Sequence, residues 1–227
     1  MKSGFYPILN MIITNVAIIS CLAPFFLVLW KKLQYQRTYT LIGIYWLVTG
    51  LLNQYNWVSD SDNYLLQALL MFFRNLFGIH VALIIFMVYS KEGKRKKIFY
   101  TLLAFISFEL TMLIWNGMET RSNIIITGIG SLIVLIYSIV GLIEYIKEVY
   151  HSPFENTIAF INAAFLFAYG ATVMLSTLNF FAIASPSDPN EFFLYYVGLL
   201  LSALLTCFGL WQYAETPSFY RNKKSQA

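Results

Sequence analysis

The stretch "MIITNVAIISCLAPFFLVLWKK" at residues 11–32 decides the fold, because it joins a long uncharged run to two lysines. A helix needs roughly 20 apolar residues to cross about 30 Å of hydrocarbon. Lysines directly after such a run are typical of the end of a span at the lipid head groups. We therefore predict a first membrane span over residues 6–30. It is retained rather than cleaved as a signal peptide, since only Lys2 precedes it and no small-residue cleavage pattern is present.

The same pattern recurs along the rest of the chain. Further apolar runs cover residues 38–57, 64–90, 98–115, 124–146, 157–183 and 192–213. Backbone groups inside a bilayer must be hydrogen-bonded within the segment, so runs of this length are helices. Only 11% of the residues are charged, against about 25% in soluble proteins. We predict an all-α polytopic membrane protein, a seven-transmembrane-helix bundle forming a single domain over 1–227 with no soluble domain.

Lysine and arginine are distributed unevenly between the two ends of these spans. Most of the 15 basic residues fall on one side of the predicted membrane: Lys31, Lys32, Arg37, Lys91, Lys94, Arg95, Lys96, Lys97, Lys147, Arg221, Lys223 and Lys224. Basic residues of short loops are retained in the cytoplasm. The sequence therefore predicts an N-terminus outside the cell and a cytoplasmic C-terminus, with "KEGKRKK" at 91–97 as a topological anchor rather than a nucleic-acid site.

Several functional classes lack their sequence signals. No Gly-rich phosphate loop or catalytic serine elbow is present, and the last predicted span contains no lysine to form a retinal Schiff base. Cys21 and Cys207 lie within spans and do not indicate a disulfide framework. His80 and His151 are far apart and have no ordinary zinc spacing. We predict no cofactor, no metal and no catalytic residue of a recognisable motif.

One arginine interrupts a predicted span, within "MFFRNLFGIH" at residues 71–80. A charge at this depth usually faces the bundle interior and has a partner. Counting at about 1.5 Å per residue from the outer span ends gives Arg74 and Glu109 similar depths on neighbouring antiparallel helices. We predict an Arg74 to Glu109 ion pair, which either fixes helix register or lines a pocket. His80 is either an interhelical histidine or part of a proton relay.

Polar side chains are concentrated in the outer half of the spans. They include Asn10, Thr14, Asn15, Asn53, Gln54, Asn56, Gln67, Ser176 and Asn179. Buried amides need partners or water, so this distribution predicts a polar pocket open to the exterior. The candidate ligand-binding residues are Arg74, Glu109, Gln67, Asn15, Asn53 and Ser176. An alternative is that several of the amides lie at the head-group boundary.

Three segments carry a resemblance to known proteins. They are "APFFLVLWKKLQYQRTYTLIGIYWLVTGLLNQY" from residue 23, "HSPFENTIAFINAAFLFAYGATVMLSTLNF" from residue 151 and "GLLLSALLTCFGLWQY" from residue 198. They resemble uncharacterised bacterial seven-helix integral membrane proteins, which are similar to the membrane sensor portions of bacterial signalling proteins. The resemblance implies a multi-pass protein of the bacterial cytoplasmic (inner) membrane, and it assigns no site residue.

These observations favour a receptor-like or sensory membrane protein with an outward-facing polar pocket. Its partners are expected to be the lipid bilayer and a cytoplasmic or membrane signalling protein, which carries the output, with no nucleic acid. A small-molecule transporter or channel is the alternative. An intramembrane enzyme that uses Glu109 or His80 as an acid or base is a third class.

Overall fold

The computed structural model describes the backbone of residues 5–58, 64–117, 120–181 and 189–216, and their side chains except for 5–7, 55–58, 64–76, 120, 181 and 189–192. The described residues form helices and no strand, which confirms the all-helical prediction. Seven α-helices follow one another: α1 Phe5–Trp30, α2 Arg37–Val58, α3 Tyr64–Tyr89, α4 Glu92–Asn116, α5 Thr120–Lys147, α6 Pro153–Phe181 and α7 Pro189–Glu215. A 3-10 turn, Leu33–Tyr35, joins α1 to α2.

All the helices except α3 start before the predicted spans, and α4 and α6 show why. Helix α4 begins at Glu92 rather than at residue 98, and α6 begins at Pro153 rather than at residue 157. Hydropathy marks only the apolar part of a helix, whereas the helix itself continues into the head-group layer. Proline is favoured in the first helical turn and a carboxylate near the helix N-terminus is stabilising, so both residues suit these starts.

Five of the helices, α1, α4, α5, α6 and α7, are long and apolar enough to cross a membrane. Helix α2 is not among them over its described side chains, 37–54, which include Arg37, Asn53 and Gln54. The part of α3 with described side chains covers only Phe77–Tyr89, which is shorter than a span. The chain is therefore a helical protein with several helices suited to a bilayer.

Helix α6 packs most closely against α7 and α5, while α1 packs against α7 and α2. Glycines allow the α6–α7 approach: a Cβ added at Gly198 would lie 2.9 Å from Ala171 Cβ, and one at Gly209 would lie 2.8 Å from Phe160 Cβ. Small residues at such contacts are typical of helices that associate in membranes.

Helix α4 lies at the edge of the bundle, against α3 and α5. Its buried residues are Ile98, Phe105 and Glu109, which share one helical face, and Ile114 and Trp115 on the same helix are more than 80% exposed. One face of α4 therefore packs inward and carries Glu109, while the rest is available to lipid.

Candidate functional site

A cavity of about 200 Å³ lies between α2, α3, α5, α6 and α7, near the end of the bundle where α5 and α7 begin and α6 ends. We call it the hydroxyl cavity, because most of its lining residues carry a hydroxyl or amide group: Tyr45, Thr49, Asn123, Thr127, Ser131, Tyr169, Thr172, Ser176, Asn179, Tyr195 and Tyr196. None of the described lining residues is charged. A cavity of about 150 Å³ suffices for benzene, so a small solute fits here.

The polar wall comes from helical spacing on α5 and α6. Asn123, Thr127 and Ser131 are four residues apart along α5, which places them on one face of that helix. Thr172, Ser176 and Asn179 are spaced by four and three residues along α6, which also places them on one face of their helix. The two faces meet at Gly128, where an added Cβ would lie 3.2 Å from Ser176 Cβ. The polar stripes of the two helices therefore lie side by side.

Two tyrosines form the floor of the hydroxyl cavity. Tyr45 Oη donates a hydrogen bond of 3.2 Å to Tyr169 Oη, linking α2 to α6. A Cβ added to Gly78 on α3 would lie 3.3 Å from Tyr169 Oη. The missing side chain of Gly78 thus leaves room for the tyrosine hydroxyl beside the α3 backbone.

Ser131 differs from the two threonines Thr127 and Thr172 in the wall. Thr172 Oγ1 donates to Ala168 O at 2.9 Å, and Thr127 Oγ1 donates to Asn123 Oδ1 at 3.3 Å. Ser131 is fully buried, and its Oγ forms no hydrogen bond with any described residue. A buried polar group without a partner costs about 1–3 kcal/mol. Because the Ser131 hydroxyl has no exposed surface, a solute in the cavity contacts partly exposed lining residues such as Thr172 and Ser176, and reaches Ser131 only if neighbouring side chains move.

The predicted site residues have different outcomes. Ser176 is among the residues that line the hydroxyl cavity, and its role in ligand binding stays a prediction. Asn53 lies beside it, since its Oδ1 accepts a 3.3 Å bond from the lining residue Tyr195 while its Nδ2 donates to Thr49 O. Asn15 lies away from the cavity and donates to Met11 O on the exposed side of α1. The side chains of Gln67 and Arg74 lie outside the described residues.

Glu109 lies between α4 and α3, where its partner among the described residues is His80. The distance between His80 Nε2 and Glu109 Oε2 is 3.1 Å, and Glu109 is only 5% exposed. His80 is thus an interhelical histidine, one of the two predicted alternatives. Neither residue is among those that line the hydroxyl cavity. The Arg74 to Glu109 ion pair stays a prediction, because the arginine side chain is not described.

A second cavity, of about 460 Å³, lies at the opposite end of the bundle, between the end of α3 and the adjoining ends of α4, α5 and α6. We call it the lysine cavity. Its charged lining residues are Lys91, Lys94, Glu144, Lys147, Glu148 and Glu155. Lys94 and Glu144 form an ion pair, and Tyr89 Oη donates a 2.6 Å hydrogen bond to Asn162 Oδ1 in the wall.

Packed aromatic rings separate the two cavities. Phe165 on α6 lies between Asn162 of the lysine cavity and Tyr169 of the hydroxyl cavity. Its ring centroid is 5.5 Å from that of Phe86 on α3 and 5.2 Å from that of Tyr45. We call Tyr45, Phe86, Tyr137 and Phe165 the aromatic layer. Both phenylalanines are at most 2% exposed, so side chains fill this level of the bundle.

Sequence reasoning missed the tyrosines and Ser131 as lining residues. The signal for Ser131 was present in the regular spacing of Asn123, Thr127 and Ser131 on α5. The tyrosines gave no such signal, because tyrosine near a helix end is typical of an interface anchor. Comparisons with protein-family models, curated proteins and solved structures found no match. The candidate function therefore depends on the geometry of the site.

Proposed function

We propose that the chain is a receptor-like, seven-span protein of the bacterial cytoplasmic (inner) membrane that binds a small polar solute in the hydroxyl cavity. The observation that carries the proposal is a cavity most of whose lining residues carry a hydroxyl or amide group, several of them partly exposed, such as Thr172 and Ser176. Buried polar groups are nearly always hydrogen-bonded. A polar solute with hydroxyl or amide groups suits this wall.

The chemistry of the wall limits the class of solute. The described lining residues carry no charge, so they offer hydrogen bonds without an ion-pair partner for a charged group. A buried charge without a partner is strongly disfavoured. A neutral solute such as a small polyol or amide suits the described wall best. An anionic solute requires the Arg74 side chain to reach the cavity, which is the role that the sequence predicts for it.

The distribution of basic residues supports an outward-facing site. The hydroxyl cavity and the lysine cavity lie at opposite ends of the bundle, and Lys91, Lys94 and Lys147 line the latter. Basic loop residues are retained in the cytoplasm, so we expect the hydroxyl cavity to face the outer side.

The described connections between helices, 31–36, 90–91 and 148–152, are short. Output therefore passes to a partner protein on the cytoplasmic side.

Accessibility of position 172 tests the proposal, because Thr172 lines the cavity and is partly exposed. A Thr172→Cys variant in a Cys21→Ala, Cys207→Ala background is treated with a membrane-impermeant maleimide, applied separately to right-side-out and inverted vesicles. We expect modification from the outer side only. A panel of neutral polyols, amides and amino acids is then screened for a solute that protects the cysteine from modification.

Ser138→Cys is the matched control. Ser138 lies on the neighbouring helix α5, is fully buried and lines neither cavity. We expect no modification of this cysteine from either side. Ser176→Cys replaces the test variant if Thr172→Cys does not fold. Protection of the tested lining cysteine from both sides, or modification from the cytoplasmic side alone, contradicts an outward-facing binding site.

A small transporter is the second candidate, and the lysine cavity favours it. Helices α3, α5 and α6 line both cavities, and the aromatic layer lies between them. A transporter would have to open this layer, whereas a receptor would not. The solute that protects the cysteine of the Thr172→Cys variant is therefore tested for flux into liposomes containing the protein. Uptake that depends on the protein favours the transporter, and binding without uptake favours the receptor.

A further inference from the structure

The turn between α5 and α6 brings three metal-ligating side chains together. Glu148, His151 and Glu155 each offer one ligand atom, and these atoms all lie within 4.8 Å of one another. They come from the short segment 148–155, which leaves α5 after Lys147 and enters α6 at Pro153. We propose that this Glu–His–Glu cluster binds a divalent transition-metal ion, with zinc as the best fit. The site does not depend on a solute in the hydroxyl cavity.

Hydrogen bonds at the start of α6 hold Glu155 over the turn. Ser152 N donates to Glu155 Oε2 at 2.7 Å, and Glu155 N donates to Ser152 Oγ at 3.3 Å. This reciprocal pair is a capping box, which satisfies backbone donors at a helix N-terminus. A carboxylate has about four lone-pair positions, so the capping bond leaves Glu155 acceptor capacity for a cation. Bonds of this kind orient metal ligands in known sites.

The imidazole ring of His151 is positioned by Tyr145. Its ring stacks on Tyr145 with a centroid distance of 3.8 Å and an interplanar angle of 21°. Tyr145 Oη in turn donates a 2.9 Å hydrogen bond to Asn156 Oδ1 on α6. His151 Nδ1 is a buried atom with no hydrogen-bond partner among the described residues. The ring is thus fixed between α5 and α6 without a full set of protein partners.

The three ligand atoms need to move only slightly closer together to bind an ion. Zinc lies about 2.0–2.2 Å from nitrogen and oxygen ligands, which places tetrahedral ligand atoms roughly 3.4 Å apart. Glu148 is exposed, so its side chain is free to rotate toward the other two residues. Two carboxylates balance the charge of a divalent ion.

The ligand set indicates which metal ions suit the cluster. Imidazole together with carboxylates suits zinc and its first-row neighbours, whereas magnesium and calcium prefer oxygen ligands alone. Three protein ligands leave a fourth position for water or another ligand. Glu148 and Glu155 also line the lysine cavity. A bound ion would therefore lie beside that cavity.

Zinc titration of the full chain in detergent tests the proposal. The protein is purified with a tag that lacks histidine, stripped with a chelator and titrated with zinc against a chromogenic competitor. We expect one ion per chain, and binding at least about tenfold weaker in Glu155→Gln and His151→Phe variants. Glutamine preserves the capping box and phenylalanine preserves the stack on Tyr145, so both variants are expected to fold.

Glu92→Gln is the matched control, since Glu92 lies at the same end of the bundle and is not part of the cluster. We expect this variant to bind zinc as the unchanged chain does. Absence of one-to-one binding to the unchanged chain overturns the proposal. Binding that is equally strong in the Glu155→Gln and His151→Phe variants also overturns it, because the ion would then lie elsewhere.

Discussion

The hydroxyl cavity and the lysine cavity are lined by parts of the same three helices, α3, α5 and α6, yet their walls differ in charge. The described wall of the hydroxyl cavity is uncharged and dense in hydroxyl groups, whereas the wall of the lysine cavity holds three lysines and three glutamates. Charges are tolerated where water screens them and are costly where it is excluded. The comparison shows a cavity with an uncharged described wall at one end of the bundle and a cavity with charged, partly exposed wall residues at the other.

The aromatic layer keeps these two environments apart, and replacing Phe165 is expected to have the largest effect on stability. Phe165 is fully buried and contacts Tyr45, Phe86 and Tyr169. Truncating a buried phenylalanine costs about 3–5 kcal/mol. We expect Phe165→Ala to lower the free energy of unfolding by about 4 kcal/mol, measured by unfolding in mixed micelles.

Phe167→Ala is the control for that prediction. Phe167 lies two residues further along α6 and is 45% exposed. Its removal is expected to change stability by less than about 1 kcal/mol, since nearly half of its surface lies outside the packed bundle. Equal losses in the two variants would mean that the layer is not a packed barrier between the cavities.

Glu109 provides the second test, because it is a buried carboxylate outside both cavities. Removing one member of a buried ionic pair costs about 3–5 kcal/mol, and hydrogen bonds between helices in membranes contribute less, about 0.6 kcal/mol on average. We expect Glu109→Ala to lower the free energy of unfolding by about 3 kcal/mol. Glu109→Gln keeps an acceptor for His80 and is expected to lose less.

A double-mutant cycle with His80→Ala separates the pair from its surroundings. The 3.1 Å contact predicts that the two single losses are not additive. If the losses add within about 0.5 kcal/mol, His80 is not the residue through which Glu109 stabilises the bundle. Arg74, the partner that the sequence predicts for Glu109, would then be the next residue to test.

Ser131 and Ser138 allow the cavity wall to be compared with the packed core on a single helix. Both are fully buried on α5, but Ser138 Oγ donates to Val134 O at 2.9 Å, whereas Ser131 Oγ has no described partner. We expect Ser138→Ala to lose about 1 kcal/mol. Ser131→Ala is expected to be neutral or to gain up to about 1 kcal/mol in the absence of solute. Equal losses would indicate that Ser131 is hydrogen-bonded within the protein.

The fold was more predictable than the site, for physical reasons. A bilayer forces long apolar runs into helices, so the helical architecture follows from the printed sequence. Depth along a helix also follows from counting residues, which is why Ser176 was predicted as a candidate site residue. The direction of a side chain around the helix depends on packing. Counting therefore matched Glu109 with Arg74 by depth and did not identify the contact with His80.

The smallest expected change in the free energy of unfolding comes from removing the ion pair between Lys94 and Glu144 in the lysine cavity. Both side chains are 43% exposed, in contrast to Glu109 at the α3–α4 contact. Exposed ion pairs contribute about 0.2–1 kcal/mol and weaken as salt screens them. We expect Glu144→Gln to lower the free energy of unfolding by less than about 1 kcal/mol, with the difference fading between low and high salt. A larger, salt-independent loss would mean that water does not enter this cavity. The two cavities would then differ in their charges but not in their hydration.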